Sequence, residues 1–219
     1  MTLDYSLMSK SIPLLLHGAW LTVQITSISV LLGTLIGFII GIMRVSHHRI
    51  FSSPAIIYVE FIRGTPLLVQ IFLIHFATPQ FLGFPLEAYY SAIIAMSINS
   101  GAYVAEIVRG GIQSIEKGQM EAARSLGMNY RQAMWHIILP QAFRRILPPL
   151  GNEFIALLKD SSLVSVITLE ELTRKGQLII GRTYKPFEIW IMVALFYLIM
   201  TLTMSQLVAY LERRSKKGD

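Results

Sequence analysis

The sequence predicts an all-α polytopic membrane protein with five transmembrane helices, its N-terminus outside and its C-terminus inside. Three observations carry that expectation. Hydrophobic residues make up 53% of the 219 and charged residues only 15%, whereas roughly a quarter of an ordinary soluble domain is charged. Two stretches, 19–43 and 189–211, contain no Asp, Glu, Lys or Arg, and about 20 apolar residues span the hydrocarbon core as a helix. Lys and Arg gather on alternate connecting segments, which sets the orientation.

The spans are expected at about 19–43, 54–77, 86–108, 141–160 and 187–211. The first is too long for the apolar part of a signal peptide, and eighteen mixed residues precede it. The second and fourth contain prolines and charges, so hydropathy alone supports them less. With the N-terminus outside, the inside segments 44–53, 109–147 and 212–219 hold twelve basic residues and the outside segments six. The positive-inside rule therefore favours this orientation. Residues 1–219 read as a single transmembrane domain, with a cytoplasmic loop at about 112–140 and a charged tail at 212–219. No repeat, linker or low-complexity tract interrupts it.

Several chemistries are excluded. Without cysteine there is no disulfide, thiolate or Cys-type zinc site. The net charge of +6 is accounted for by basic residues at the cytoplasmic membrane surface, so no nucleic acid is expected. His47, His48 and His136 lack metal-ligand spacing, and no metal site is expected. No G-x-x-x-x-G-K-[ST] phosphate loop occurs, and Arg109-Gly110-Gly111 lacks its Lys-Ser/Thr.

The cytoplasmic loop carries QMEAARSLGMNYRQAMWHIILPQ. Its first run is rich in strong helix formers. Gly127 suits the end of that helix, and Asn129 suits the cap of the next. Leu139-Pro140 either stops the second helix or restarts the chain with proline in a first turn. The outcome is two short helices joined at a glycine. Such a helix either lies on lipid headgroups or fits a groove on another protein. Small Ala122 and Ala123 would let a partner approach closely.

The pattern Glu121-Ala122-Ala123, three residues, Gly127, nine residues, Ile137, one residue, Leu139-Pro140 resembles the EAA loop of membrane subunits of bacterial binding-protein-dependent ABC importers. The stretches EFIRGTPLL (60–68), AYVAEIVRGG (102–111) and LLKDSSL (157–163) resemble the polar amino-acid branch, and the likeness extends over about residues 12–212. The resemblance implies a type I ABC importer permease core in the cell (inner, cytoplasmic) membrane. It implies that Glu121, Ala122, Ala123, Arg124, Leu126 and Gly127 form coupling helices seated on a separate ATPase. It further implies two ATPase copies, a second permease subunit (homo- or heterodimer), an extracytoplasmic amino-acid-binding protein and an amino-acid substrate. No cofactor is expected on this chain, and ATP and Mg belong to the partner ATPase.

A solute path requires polar groups inside the membrane, where they are costly and hence functional candidates. Arg63 lies about nine residues into the second span, roughly 14 Å deep. Thr65 is expected to cap, and Pro66 to begin, a half-helix whose positive end would face a substrate carboxylate. The alternative is a proline kink with Arg63 paired to Glu60 one turn away. Glu153 and Asp160 share a face of the fourth span two turns apart. They form an acidic lining for a cationic group, or else pair with Lys159 or Arg63, or Asp160 is exposed at the outer surface. Two carboxylates favour a polar or basic amino acid. Ser97, Asn99 and Tyr103 in the third span join the pocket or serve helix packing. Ser162 is placed at the outer rim. A polytopic membrane enzyme and an ion-coupled secondary transporter are the competing readings. The carboxylates lack a His, Ser or Cys companion for the first, and the groove-docking loop has no use in the second.

Overall fold

The computed structural model describes residues 3–216, and every regular element among them is helical. Helix α1 spans Tyr5–Val45, starting fourteen residues before the expected span. Asp4 caps it by accepting the Leu7 N–H at 3.0 Å. At 1.5 Å per residue α1 is about 60 Å long, more than the 40–45 Å of a whole bilayer. Its early turns are held by packing of Leu15 and Ala19 against later helices, a tertiary effect that hydropathy does not register.

Helix α1 lies against α5 (Ala88–Gln113) along a stripe of buried glycines, Gly33, Gly37 and Gly41. A Cβ on Gly37 would sit 2.5 Å from Val104 Cβ and 2.7 Å from the Gly101 carbonyl oxygen. The missing side chains let the two backbones approach, the usual means of helix association in lipid. Between them in sequence, α2 (Arg49–Arg63), α3 (Leu67–Phe72) and α4 (Thr78–Leu82) replace the expected single span. A five-residue π-helical stretch, Leu73–Ala77, joins α3 to α4. The chain bends by 101° between Arg63 and Leu67.

In the loop, α6 (Lys117–Ser125) and α7 (Tyr130–Ala133) meet at Gly127, as expected. Gly127 has φ +88°. The Met128 N–H donates to the Ala123 carbonyl and the Gly127 N–H to that of Arg124, the six-residue helix stop that glycine makes easy. Asn129 and Gln132 form a reciprocal capping box. Of the two outcomes expected at Leu139-Pro140, the chain takes the restart, with Pro140 in the first turn of the next helix. A π-helical turn, Met134–Ile138, passes directly into α8 (Leu139–Asp160). The wider turn relieves the clash of the Pro140 ring with the preceding turn, so the helix survives its proline.

A 3₁₀ segment, Ser161–Ile167, leads to α9 (Leu172–Thr183) and then to α10 (Pro186–Lys216). The tail expected at 212–219 is helical as far as residue 216, and residues 217–219 lie outside the described residues. Glu171 ties these elements together. Its buried carboxylate accepts the Thr173 and Arg174 N–H groups at the start of α9, and the hydroxyls of Thr22 in α1 and Tyr197 in α10. A buried carboxylate persists only with such partners.

Three apolar clusters follow one another through the molecule. One joins the start of α1 to α9 and α10. The second gathers α1, α3, α5 and the end of α8 around Ile25, Ile71, Met96 and Leu157. The third packs α5 on the start of α8 through Val108, Ile112, Ala142 and Ile146. By length and composition α1, α5 and α10 suffice to cross a membrane, and the bent α2–α4 pair makes a fourth. The expected fourth span, α8, is not apolar enough by that measure, because it carries Arg144, Arg145, Glu153, Lys159 and Asp160.

Candidate functional site

The bend after α2 begins with sequence. Pro66 has no N–H and disfavours helical backbone at Thr65, so α2 stops. Pro66 itself adopts φ −63°, ψ 138° and is the N-cap of α3, so the helix starts one residue later than expected. Thr65 does not cap α3. Its hydroxyl donates backwards to the Phe61 carbonyl at 3.0 Å. The corner is closed by Gln70, unremarked in the sequence. Gln70 Nε2 donates to the Ile62 carbonyl at 2.8 Å and to Thr65 Oγ1 at 2.9 Å, and Asn99 Nδ2 donates to Gln70 Oε1 at 3.0 Å. Asn99 is buried and supports the corner. Helix α3 is only six residues long, and its first residue, Leu67, is buried in the core while Pro66 at its N-cap is exposed.

The corner sits at Asn99, near the middle of α5. From there the Arg63 guanidinium reaches along α5. It lies 5.2 Å from the centre of the Tyr103 ring and 3.5 Å from Glu106. The expected alternative, pairing with Glu60, is not what forms. Glu60 takes Arg44 instead, at 3.1 Å. Glu106 is the hub of this region. Its Oε1 accepts from Arg109 Nε and its Oε2 from Arg109 Nη2, both at 2.9 Å, and Arg44 Nε forms an ion pair with Oε1 at 3.1 Å. The Glu106–Arg109 spacing, three residues on an expected helix, was the available signal. Its partners in α1 and α2 are far away in sequence.

On the opposite wall, α8 runs antiparallel to α5. A Cβ on Gly111 would meet Ile146 Cγ1 at 2.3 Å. Two turns further along α8, half-buried Glu153 lies near the Ser100 hydroxyl, at a geometry outside that of a hydrogen bond. Glu153 has no ion-pair partner among the described residues, so neither Lys159 nor Arg63 neutralises it. Asp160 is exposed at the last residue of α8, Ser162 is half-buried just beyond, and the Ser97 hydroxyl is buried without a partner among the described residues. The structure thus brings Arg63 and Tyr103 together. It sets Glu153 beside α5, and it assigns Thr65 and Asn99 to the corner.

In the loop, Glu121, Ala122, Arg124 and Leu126 are exposed, Leu126 by 84%. Ala123, expected on the docking face with Ala122, is only 4% exposed and faces the chain's own core. Helical periodicity separates the two neighbours by about 100°. Leu126 is a large apolar side chain held out at a rigid turn.

Residues 33–217 match the family described as binding-protein-dependent transport system inner membrane component. The glutamine transport system permease protein GlnP of Escherichia coli (strain K12) is 44% identical over 217 residues, 99% of each chain. The arginine transport system permease protein ArtQ of Bacillus subtilis (strain 168) is 38% identical over the full length of both. A crystal structure of an amino acid ABC transporter with histidines superposes with TM-score 0.93 at 47% identity, covering 98% of this chain and 100% of that one. The MetNI methionine ABC transporter in an inward-facing conformation shares the fold, with TM-score 0.81 at 19% identity. With the match running over most of the chain, this protein belongs to the family of binding-protein-dependent transport system inner membrane components.

Proposed function

We propose that this chain is the permease subunit of an ATP-driven importer of a polar or basic amino acid. It forms the solute path and leaves ATP hydrolysis to a partner. The observation that carries the reading is the exposed α6 ledge, with Leu126 projecting at the Gly127 turn, in a chain whose relatives transport glutamine and arginine by name. A rigid exposed helix with one large apolar side chain suits a groove on a second protein. Glu121, Ala122, Arg124, Leu126 and Gly127 are its contact residues, and Ala123 anchors the ledge from inside.

The chain passes the membrane five times with N-out, C-in orientation, α8 being the pass whose charges line the path. Charged groups within a membrane belong on interior or water-filled faces, and half-buried Glu153 fits that rule. Glu153 and Asp160 receive the cationic end of the solute, with Ser97 and Ser162 along the wall and Arg63 and Tyr103 below. Two ATPase copies carrying ATP and Mg, a second permease subunit, identical or related, and an extracytoplasmic amino-acid-binding protein complete the assembly.

The test is uptake of labelled amino acids into proteoliposomes holding this chain, the ATPase and the binding protein. ATP-dependent uptake is expected, and Glu153→Gln should weaken cationic amino acids more than neutral ones. Transport by this chain alone, without an ATPase, would sink the reading.

A further inference from the structure

Beside the Glu106 hub lies a cavity of about 530 Å³ between α2, α5 and α8, walled by Arg63, Tyr103, Glu106, Gly110, Arg145 and Pro149 among others. Its electrostatics are unbalanced. Three guanidiniums, Arg44, Arg63 and Arg109, share two carboxylates, Glu60 and Glu106. The Glu106 oxygens are already occupied by Arg109 and Arg44, which leaves Arg63 the longest contact, at 3.5 Å. The Arg63 side chain is also the most accessible of the three arginines, at 41%. Donors outnumber acceptors so far that Arg44 Nη1 is buried with none among the described residues. Arg145, across the cavity, has among the described residues only the neutral Ser114 carbonyl. At Gly110 a side chain would meet nothing within 4 Å, so the cavity floor is open.

A cavity with two under-paired guanidiniums on facing walls is suited to a planar anion, because guanidinium presents its donors in a fork that matches a carboxylate. It begins one turn along α8 from Glu153, at Pro149, on the side toward the coupling loop. We infer that this basin is an exit subsite that takes the α-carboxylate of the transported amino acid through Arg63 and Arg145, an inference that rests on the import reading. Cytoplasmic amino acid occupies the same subsite and opposes release, so the transporter is inhibited by its product there.

The test uses the assembled complex of permease, ATPase and loaded binding protein in phosphatidylcholine nanodiscs, where both faces are accessible. ATPase activity is followed while L-arginine, L-glutamine or their carboxamides are added. The free acids should inhibit, and the carboxamides should need at least about tenfold more, the effect of losing one charged hydrogen-bonding partner. Arg145→Gln should raise the half-inhibiting concentration of the acids about tenfold, and Arg145→Lys should recover part of it. Arg145 does not touch Glu106, so its variants leave the hub intact. Equal inhibition by acid and carboxamide, no inhibition at all, or an unchanged value in Arg145→Gln overturns the inference. If including phosphatidylglycerol abolishes the inhibition, a lipid phosphate holds the basin and the assignment to the amino acid falls. Uptake into proteoliposomes is measured alongside. Uptake without carboxylate-selective inhibition rejects the subsite alone, whereas no uptake of any amino acid rejects the import reading and the subsite with it.

Discussion

Asn99 donates its side-chain amide to Gln70 Oε1 at 3.0 Å, across two elements that are 29 residues apart. Through that bond the middle of α5 holds the corner at which α2 turns by 101° into α3. Gln70 in turn donates to the Ile62 and Thr65 carbonyls, so one side chain serves both sides of the break.

Gln70→Leu should therefore cost more than its size suggests. The apolar side chain removes the donor to the Thr65 carbonyl and the acceptor of the Asn99 amide. Each buried group so orphaned costs about 1–3 kcal/mol. The measurement is thermal unfolding of the purified chain in detergent. A melting temperature equal to that of the parent would show that the corner stands without Gln70.

Glu106 and Arg44 should show strong coupling in a double-mutant cycle. Removing Glu106 alone exposes three guanidiniums to one another, whereas removing both partners relieves part of that repulsion. Groups in one ion-pair network couple by about 0.5–3 kcal/mol, and partial exposure of this cluster puts the value toward the lower end. Glu106→Gln, Arg44→Gln and the pair are compared by denaturation. Additive effects would reject the hub.

Gly37→Leu should separate α1 from α5. Even a Cβ there lies within 2.5–2.7 Å of Val104 and the Gly101 carbonyl. Gly37→Ala should lose about 1–3 kcal/mol by overpacking, and the leucine more. Protease resistance in membranes reads the outcome. A leucine variant as resistant as the parent would mean the helices do not rely on this approach.

Gly127→Val should damage coupling more than folding. The position has φ +88° and open space around it, so the cost is backbone strain of about 1–2 kcal/mol, confined to the turn. Binding of the ATPase should weaken, and ATP hydrolysis should lose its dependence on substrate-loaded binding protein. Co-purification and ATPase assays test this, with Ala122→Val as a contact-face comparison. Normal ATPase association in both variants would remove the ledge from the interface.

Some of this was legible locally. The Gly127 stop and the Asn129 cap depend on residues within six positions of each other, and sequence displays them directly. The break at Thr65-Pro66 was legible for the same reason, since proline's effect is covalent. Where the Thr65 hydroxyl would go was not. It had a carbonyl behind it and a helix end ahead, and Gln70 arriving from the next helix decided between them. At Pro140 the local rule left two outcomes, a stop or a restart, and α8 begins at Leu139 with Pro140 in its first turn, entered through a π-helical turn.

By itself the sequence determined the all-helical class, the membrane habit and the family. Those rest on apolar length, the distribution of Lys and Arg, and a spaced motif, all properties of the chain as a string. Only the tertiary structure decided which charges meet. Glu106 gathers Arg44 from α1 and Arg63 from α2, 62 and 43 residues away, and Glu153 is left without an ion-pair partner among the described residues. Coulombic pairing falls off with distance in space and has no memory of distance along the chain. The electrostatics of the path therefore became readable only when the helices had packed.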